Sequence, residues 1–202
     1  MKEGLPSGPE IRSLKATMTE TKKTIYIKFF AEVNGNSANA LMQLVDQYVG
    51  QSFQRIVLLI SSPGGTVFHG LSIFNYLSGI PVEVETHNFG SVDSIGVTIF
   101  SAGKKRYSVP DARFLLHPVS ANLQGSLEEN KLEEILKGIR IDQSNIAASI
   151  SKATGKTEKE IVEAISSRTT LNPKQAKDFG LVHEIRSDLF PVGAQVVSIH
   201  QS

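Results

Sequence analysis

The stretch Ile56-Val57-Leu58-Leu59-Ile60-Ser61-Ser62-Pro63-Gly64-Gly65 decides the fold of this chain. Its first half is an unbroken apolar run, which is typical of a strand that is covered on both faces of a parallel sheet. A Pro-Gly-Gly turn ends the run, and apolar residues at helical spacing then extend from about Val67 to Leu77. The segment therefore predicts a strand at 55–60 that leads through a tight turn into a helix.

Strand and helix patterns alternate over most of the chain. Further strands are predicted at 24–29, 82–86, 105–109, 113–117 and 181–185, and further helices at 37–49, 126–152, 157–165 and 173–179. Such alternation favours right-handed βαβ units on a mostly parallel sheet, which is an α/β fold. The helix at 126–152 is too long to lie across one small sheet, so we expect it to project or to pack against another copy. The residues after 185 show no clear pattern.

The composition is that of one ordinary globular domain. The chain has 202 residues, of which 40% are hydrophobic, and its formal net charge is +1. Such a charge attracts neither nucleic acid nor an anionic membrane. There is no cysteine, and the 5 histidines are not spaced as metal ligands, so we expect no disulfide, metal or cofactor. Lys104-Lys105-Arg106 is interpreted as a solvated turn.

The two ends of the chain are polar. Residues 1–23 are interpreted as an arm that lacks the apolar core of a signal peptide, and no later segment is long enough to span a bilayer. Residues 186–202 are interpreted as a tail. These features predict a cytoplasmic protein whose main domain covers residues 24–185.

A second segment rich in small residues, Gly90-Ser91-Val92-Asp93-Ser94-Ile95-Gly96, follows the predicted strand at 82–86. Its two glycines allow a tight turn and a close approach of other backbone. The turn would present the Ser94 hydroxyl at the start of a helix, where free N–H groups favour developing negative charge. His117 ends an apolar run downstream and could take the proton of such a hydroxyl. Taken alone, Ser94 also fits a small residue in a turn, and His117 a buried core histidine.

Together these segments resemble the proteolytic subunit of the Clp protease, a serine peptidase family with the crotonase-like fold, over residues 24–185. The family's Ser-Pro-Gly-Gly is present at 62–65, and its Gly-x-x-x-Ser-Met-Gly resembles 90–96, with Ile95 in place of the methionine. Residues 110–117 are similar to its Pro-Asn-Ser-Arg-x-x-x-His. The resemblance also implies a projecting handle at about 123–155.

The resemblance assigns roles to four residues. It implies that Ser94 is the nucleophile and His117 the general base, and that the backbone N–H groups of Gly65 and Ile95 form the oxyanion hole. The implied function is a serine endopeptidase that hydrolyses unfolded polypeptides through an acyl-enzyme. The implied assembly is a homo-oligomer of two stacked rings that encloses the active sites, and an ATP-dependent unfoldase is the implied partner.

The sequence departs from the family at the third member of the triad. The family's aspartate falls on Arg168, and no carboxylate lies from Ser166 to Gln175. A cation there disfavours the imidazolium form of a histidine and cannot hold its tautomer. Asp93 is a second departure, because the family has a small apolar residue beside the nucleophile, and the sequence suggests no role for it.

Several alternatives follow from these departures. The protein could work as a Ser–His dyad, Thr169 or Asn172 could orient His117, or the chain could be a catalytically impaired structural subunit of a Clp-type ring. Acyl-coenzyme A chemistry on the same fold would use the Gly65 region for a thioester enolate and needs no Ser–His pair. A membrane-associated signal-peptide peptidase relative would use a lysine base, where this chain has a histidine.

Overall fold

The computed structural model of the protein describes residues 22–199. Most of the predicted polar arm (1–21) and the last three residues of the predicted tail lie outside the described residues. The strands are β1 (Thr24–Phe30), β2 (Arg55–Ser62), β3 (Glu83–Asp93), β4 (Lys105–Ser108), β5 (Arg113–Leu115), β6 (Thr170–Leu171), β7 (Glu184–Ile185) and β8 (Val196–Ile199). The helices are α1 (Gly35–Gly50), α2 (Val67–Gly79), α3 (Ile95–Ser101), α4 (Glu129–Thr154), α5 (Glu158–Ser166) and α6 (Pro173–Asp178).

The strands form one mostly parallel sheet. Its order is β6-β5-β3-β2-β1-β8, with β4 pairing with β3 and β7, and among these strands the short β5–β6 pair is antiparallel. β2 lies centrally and is buried from Ile56 to Ser62, as its unbroken apolar sequence predicted. The predicted α/β class with a mostly parallel sheet is confirmed.

Sequence signals fix where three of the helices begin. α1 starts with a capping box between Asn34 and Ser37, and α5 starts with a capping box between Thr157 and Glu160. α6 starts with a box that Asn172 caps, and Pro173 is its first residue. In each case the side chain satisfies backbone N–H groups that the first helical turn leaves without a partner.

α4 extends from the body of the protein as the handle. Its buried residues are Ile146, Ala147 and Ile150, all in the second half of the helix. The first half carries Leu132 and Leu136, which are 44% and 47% exposed. The helix therefore docks through its C-terminal turns, while its N-terminal turns carry apolar side chains that the described residues leave uncovered.

Some strand boundaries differ from prediction because tertiary pairing sets them. β3 continues to Asp93 because, after a register shift between Ile60 and Ser62 of β2, its end also pairs with β5. The strand predicted at 113–117 ends at Leu115, and the one predicted at 181–185 shrinks to two residues. Within the predicted tail, β8 forms because it pairs in parallel with β1 and buries Ile199.

The interpretation of Lys104-Lys105-Arg106 as a solvated turn is wrong for Arg106. Lys105 begins β4, and Arg106 is only 5% exposed. Its guanidinium donates hydrogen bonds to backbone carbonyl groups of Gly103, Ala153, Gly180 and Leu181. Those carbonyls compensate the loss of water around the cation, which is why a basic residue is tolerated in the interior.

No helix within residues 22–199 combines the length and the apolar character that crossing a membrane requires. Nor does that range contain a group of three or more histidine, aspartate or glutamate side chains arranged to hold a metal ion.

A buried histidine on β3 gives the fold a pH dependence. His87 has no exposed surface, and its Nε2 lies 3.3 Å from the carbonyl oxygen of Arg186. The pKa of His87 is lowered from 6.5 to about 4, first because burial disfavours the imidazolium and second because the Arg186 cation lies nearby. The folded protein therefore holds His87 neutral at pH values where the unfolded chain protonates it.

We expect acid to destabilise the protein through His87. Its contribution to the free energy of unfolding is fully present above pH 6.5 and is lost as the pH falls toward about 4. Between pH 7.5 and pH 5 the loss should be about 2 kcal/mol from this group alone. Urea unfolding at the two pH values gives the change in the free energy of unfolding between them. This change should be smaller in His87→Gln than in the wild type by about 2 kcal/mol. The control His69→Gln, at a half-buried histidine of α2, should keep the wild-type difference; a wild-type difference in His87→Gln would contradict the assignment.

Candidate active site

The turn between β3 and α3 holds Ser94 in an unusual backbone conformation. Its φ is 58° and its ψ is −130°, a region that non-glycine residues rarely occupy. Two backbone hydrogen bonds fix this conformation: the Ser94 N–H donates to Leu115 at 2.8 Å, and the Ser94 carbonyl accepts from Val97 at 3.0 Å. Strained residues persist only where the surroundings over-determine them, and they cluster at functional sites. The structure thus places Ser94 directly before α3, where the sequence predicted it.

Ser94 lies at a small cavity of about 80 Å3 together with three other predicted residues, His117, Gly65 and Ile95. Ser94 and His117 are both half-buried there. Ile146 and Ile150 of α4 and Ile165 of α5 line its apolar side. The four residues that the sequence singled out, which span more than fifty positions along the chain, are therefore neighbours around one opening.

Gly65 lies so close to Val33, which follows β1, that only glycine fits at this position. A Cβ atom on Gly65 would lie 2.2 Å from the Val33 carbonyl oxygen, and the φ of Gly65 is +145°. The Gly64 carbonyl accepts from the Val33 N–H at 2.7 Å, and the Thr66 N–H donates to the Val33 carbonyl at 2.8 Å. Because neighbouring residues of an extended chain point in opposite directions, the N–H of Gly65 faces away from Val33.

Gly64 and Gly70 allow the turn that holds Ser94 to make close contact with its surroundings. A Cβ atom on Gly64 would lie 2.6 Å from the Ser94 Cβ. On Gly70 of α2 it would lie 2.2 Å from Cγ1 of Ile95. The Ile95 N–H belongs to the first turn of α3, where backbone donors have no partner within the helix. The turn thus supplies a second backbone donor beside Ser94.

His117 lies two residues beyond β5 rather than within it. Its Nδ1 is 2.9 Å from the carbonyl oxygen of Pro118. Because a carbonyl oxygen only accepts, this hydrogen bond requires the proton on Nδ1 and leaves the lone pair on Nε2. Among residues 22–199 no hydrogen bond joins the Ser94 hydroxyl to a ring nitrogen of His117. In proteins without substrate such contacts are often long and tighten on binding.

The predicted third position, Arg168, is not part of this cavity. Arg168 is exposed and follows α5 with a φ of 53°. The backbone of its neighbour Thr169 contacts the segment just before His117, since the Thr169 carbonyl accepts from the Leu116 N–H at 2.9 Å. The side chain of Asn172 caps α6 instead. The group that contacts the imidazole Nδ1 is therefore the Pro118 carbonyl, which the sequence analysis did not consider.

Asp93 takes part in a polar network that sequence reasoning missed. It is 7% exposed, and its Oδ2 pairs with Nη2 of Arg113 at 2.8 Å. Its Oδ1 accepts from the Ser91 hydroxyl at 2.7 Å. Ser91 and Asp93 are two positions apart on β3, so their side chains lie on the same face of the sheet. This spacing is the one local signal that could have linked them.

The sheet, the order of its strands and the projecting α4 define a crotonase-like α/β protein. The sequence model of the Clp protease family matches residues 11–188, so the chain belongs to the Clp protease family, a family of peptidases. A solved structure of a ClpP1 point mutant from Listeria monocytogenes is similar, with a TM-score of 0.73 and 27% sequence identity. The match covers 82% of this chain and 92% of that one.

Proposed function

We propose that the protein is a serine endopeptidase that cleaves unfolded polypeptides, with Ser94 as its nucleophile and His117 as its general base. The observation that carries the proposal is the single cavity shared by Ser94, His117, Gly65 and Ile95. An apolar wall beside the serine suits a peptide side chain next to the scissile bond. Membership of a peptidase family supports the same reaction class.

The proposed reaction proceeds through an acyl-enzyme. Nε2 of His117 takes the proton of the Ser94 hydroxyl as Oγ attacks the peptide carbonyl. The N–H groups of Gly65 and Ile95 donate to the resulting oxyanion, an interaction worth about 3–4 kcal/mol per donor in other enzymes. The imidazolium then gives its proton to the departing amine. Water, activated by the same Nε2, releases the peptide acid and restores Ser94.

In this proposal the Pro118 carbonyl takes over part of the work of the missing triad carboxylate. It holds the proton on Nδ1, so that Nε2 can act as the base. A neutral carbonyl stabilises the imidazolium less than a carboxylate does, and loss of that carboxylate lowers kcat about 10⁴-fold in other triad enzymes. We therefore expect turnover slower than that of a complete triad.

A structural subunit with an inactive site is the second candidate. Among residues 22–199 no carboxylate is hydrogen-bonded to His117, and Arg168 stands where the family has aspartate. In that case the chain would fill a place in a ring beside active subunits. Acyl-coenzyme A chemistry remains the less favoured third candidate, because it gives the Ser94–His117 pair no task.

The assembly and location are proposed from the family and the surface. Leu132, Leu136 and Ile141 leave α4 with an apolar surface, which supports self-association through the handle into stacked rings. An enclosed chamber would limit access to chains that an ATP-dependent unfoldase has unfolded. The cytoplasmic location remains a prediction from the sequence.

Labelling with a fluorophosphonate tests the proposal, because such reagents react covalently with activated serines. After treatment of the assembled protein, mass mapping should place the label on Ser94. Ser94→Ala should abolish labelling and the hydrolysis of fluorogenic peptides. Ser120→Ala is the matched control, since Ser120 lines the same cavity, and it should keep both activities.

Two outcomes would contradict the proposal. An assembled protein whose Ser94 is not labelled would favour the structural subunit. Thioester cleavage that Ser94→Ala leaves unchanged would favour acyl-coenzyme A chemistry.

A further inference from the structure

The carboxylate of Asp93, directly before Ser94, is held in a closed set of contacts. Each of its oxygens has a partner, the Ser91 hydroxyl on one side and Nη2 of Arg113 on the other. Nε of Arg113 donates to the same Ser91 hydroxyl at 2.9 Å. A carboxylate with charge-assisted hydrogen bonds on both oxygens, in a nearly buried position, has little freedom to move.

These contacts join the two strands that carry the proposed nucleophile and base. Asp93 is the last residue of β3, and Ser94 follows it. Arg113 is the first residue of β5, and His117 lies four positions further on. β3 and β5 pair over only three positions, so the backbone alone gives a short connection. The hydrogen bond from the Ser94 N–H to Leu115 lies at the same junction.

We infer that Asp93 and Arg113 are positioning residues that set the distance between Ser94 and His117. The inference rests on the proposed function, because it concerns the geometry of that pair. Ser94 follows directly after β3, and His117 lies two residues beyond β5. A displacement of about 1 Å between reacting groups can cost about 100-fold in rate. The ion pair joins the end of β3 to the start of β5 and so fixes the position of one strand relative to the other.

The test compares Asp93→Asn, Arg113→Gln and the double variant in the hydrolysis of a fluorogenic peptide. Each single variant should lower kcat about 10- to 100-fold and leave KM within about twofold, because the peptide-binding surface is unchanged. The double variant should lose no more than the worse single variant, since the pair acts as a unit. The rate of fluorophosphonate labelling at Ser94 should fall in parallel with kcat.

Glu83→Gln is the matched control. Glu83 lies at the other end of β3 and pairs with Lys22 and Arg55, so the change also removes a carboxylate from this strand. It should leave kcat unchanged. If Asp93→Asn does not fold, Arg113→Gln carries the test, because the Arg113 side chain is 56% exposed and its replacement leaves no cavity in the core.

The outcomes separate this inference from the proposed function. Wild-type kcat in both single variants, additive losses in the double variant, or an equal loss in Glu83→Gln would overturn the positioning role alone. A wild-type protein whose Ser94 is not labelled would overturn the proposed function and this role with it.

Discussion

Gly65→Ala is expected to lower kcat by about 10³-fold, because it displaces the backbone donor that we assign to the oxyanion hole. The new Cβ would lie 2.2 Å from the Val33 carbonyl oxygen and 2.9 Å from the Val33 nitrogen. Both are backbone atoms of a bridged segment, so neither can move aside without breaking the contacts of Val33 with Gly64 and Thr66. The turn must shift instead, and Gly64 would carry that shift to Ser94.

Because the φ of Gly65 is positive, the alanine variant would suffer backbone strain in addition to the clash. A second glycine with a positive φ but no clash allows the two effects to be measured separately. Gly193 has a φ of +79° and no atom within 4 Å of a Cβ placed on it. Gly193→Ala therefore introduces backbone strain of about 1–3 kcal/mol without a clash and should keep wild-type kcat. Peptide turnover and the thermal midpoint of both variants give the comparison. A Gly65→Ala protein that keeps more than about a tenth of the wild-type kcat would show that this N–H does not stabilise the oxyanion.

The parts of the site that the sequence predicted are those that local chain geometry determines. Glycines around Ser94 and after Ser62-Pro63 mark turns at strand ends, and parallel strands bring such ends to one edge of a sheet. That rule is sufficient to predict that Ser94 and Gly65 lie near one another. The apolar run before His117 then indicates a further strand that ends nearby.

The parts that escaped prediction depend on partners far away in the chain. Arg113 lies 20 positions from Asp93, so nothing local to Asp93 indicates its ion pair. β8 is four residues long, and its pairing with β1 joins the two ends of the described chain. The contact of His117 with Pro118 is local, but it depends on a side-chain rotamer that the sequence does not specify.

Arg106 is the clearest case in which the local sequence gives a wrong prediction, because three adjacent basic residues indicated a solvated turn and Arg106 is buried. Among the substitutions considered, replacement of Arg106 should have the largest effect on stability. Arg106→Met removes the donors for four carbonyl groups, those of Gly103, Ala153, Gly180 and Leu181. Those carbonyls lie at the C-terminal ends of α3, α4 and α6, where helix dipoles place partial negative charge. Each carbonyl left buried without a partner costs about 1–3 kcal/mol. Because some of these carbonyl groups will form hydrogen bonds with water instead, we expect a total loss of about 4 kcal/mol in the free energy of unfolding.

This loss should exceed what replacing a buried ion pair by apolar side chains would cause. In that exchange both charged partners leave, whereas here the carbonyls belong to the backbone and stay. Arg106→Lys keeps the charge but cannot place donors in four directions, so it should recover part of the stability. Arg140→Met, at an exposed arginine of α4, should change stability by less than about 0.5 kcal/mol. Urea midpoints at one protein concentration measure all three variants. An Arg106→Met protein as stable as Arg140→Met would mean that the three helix ends do not depend on this cation.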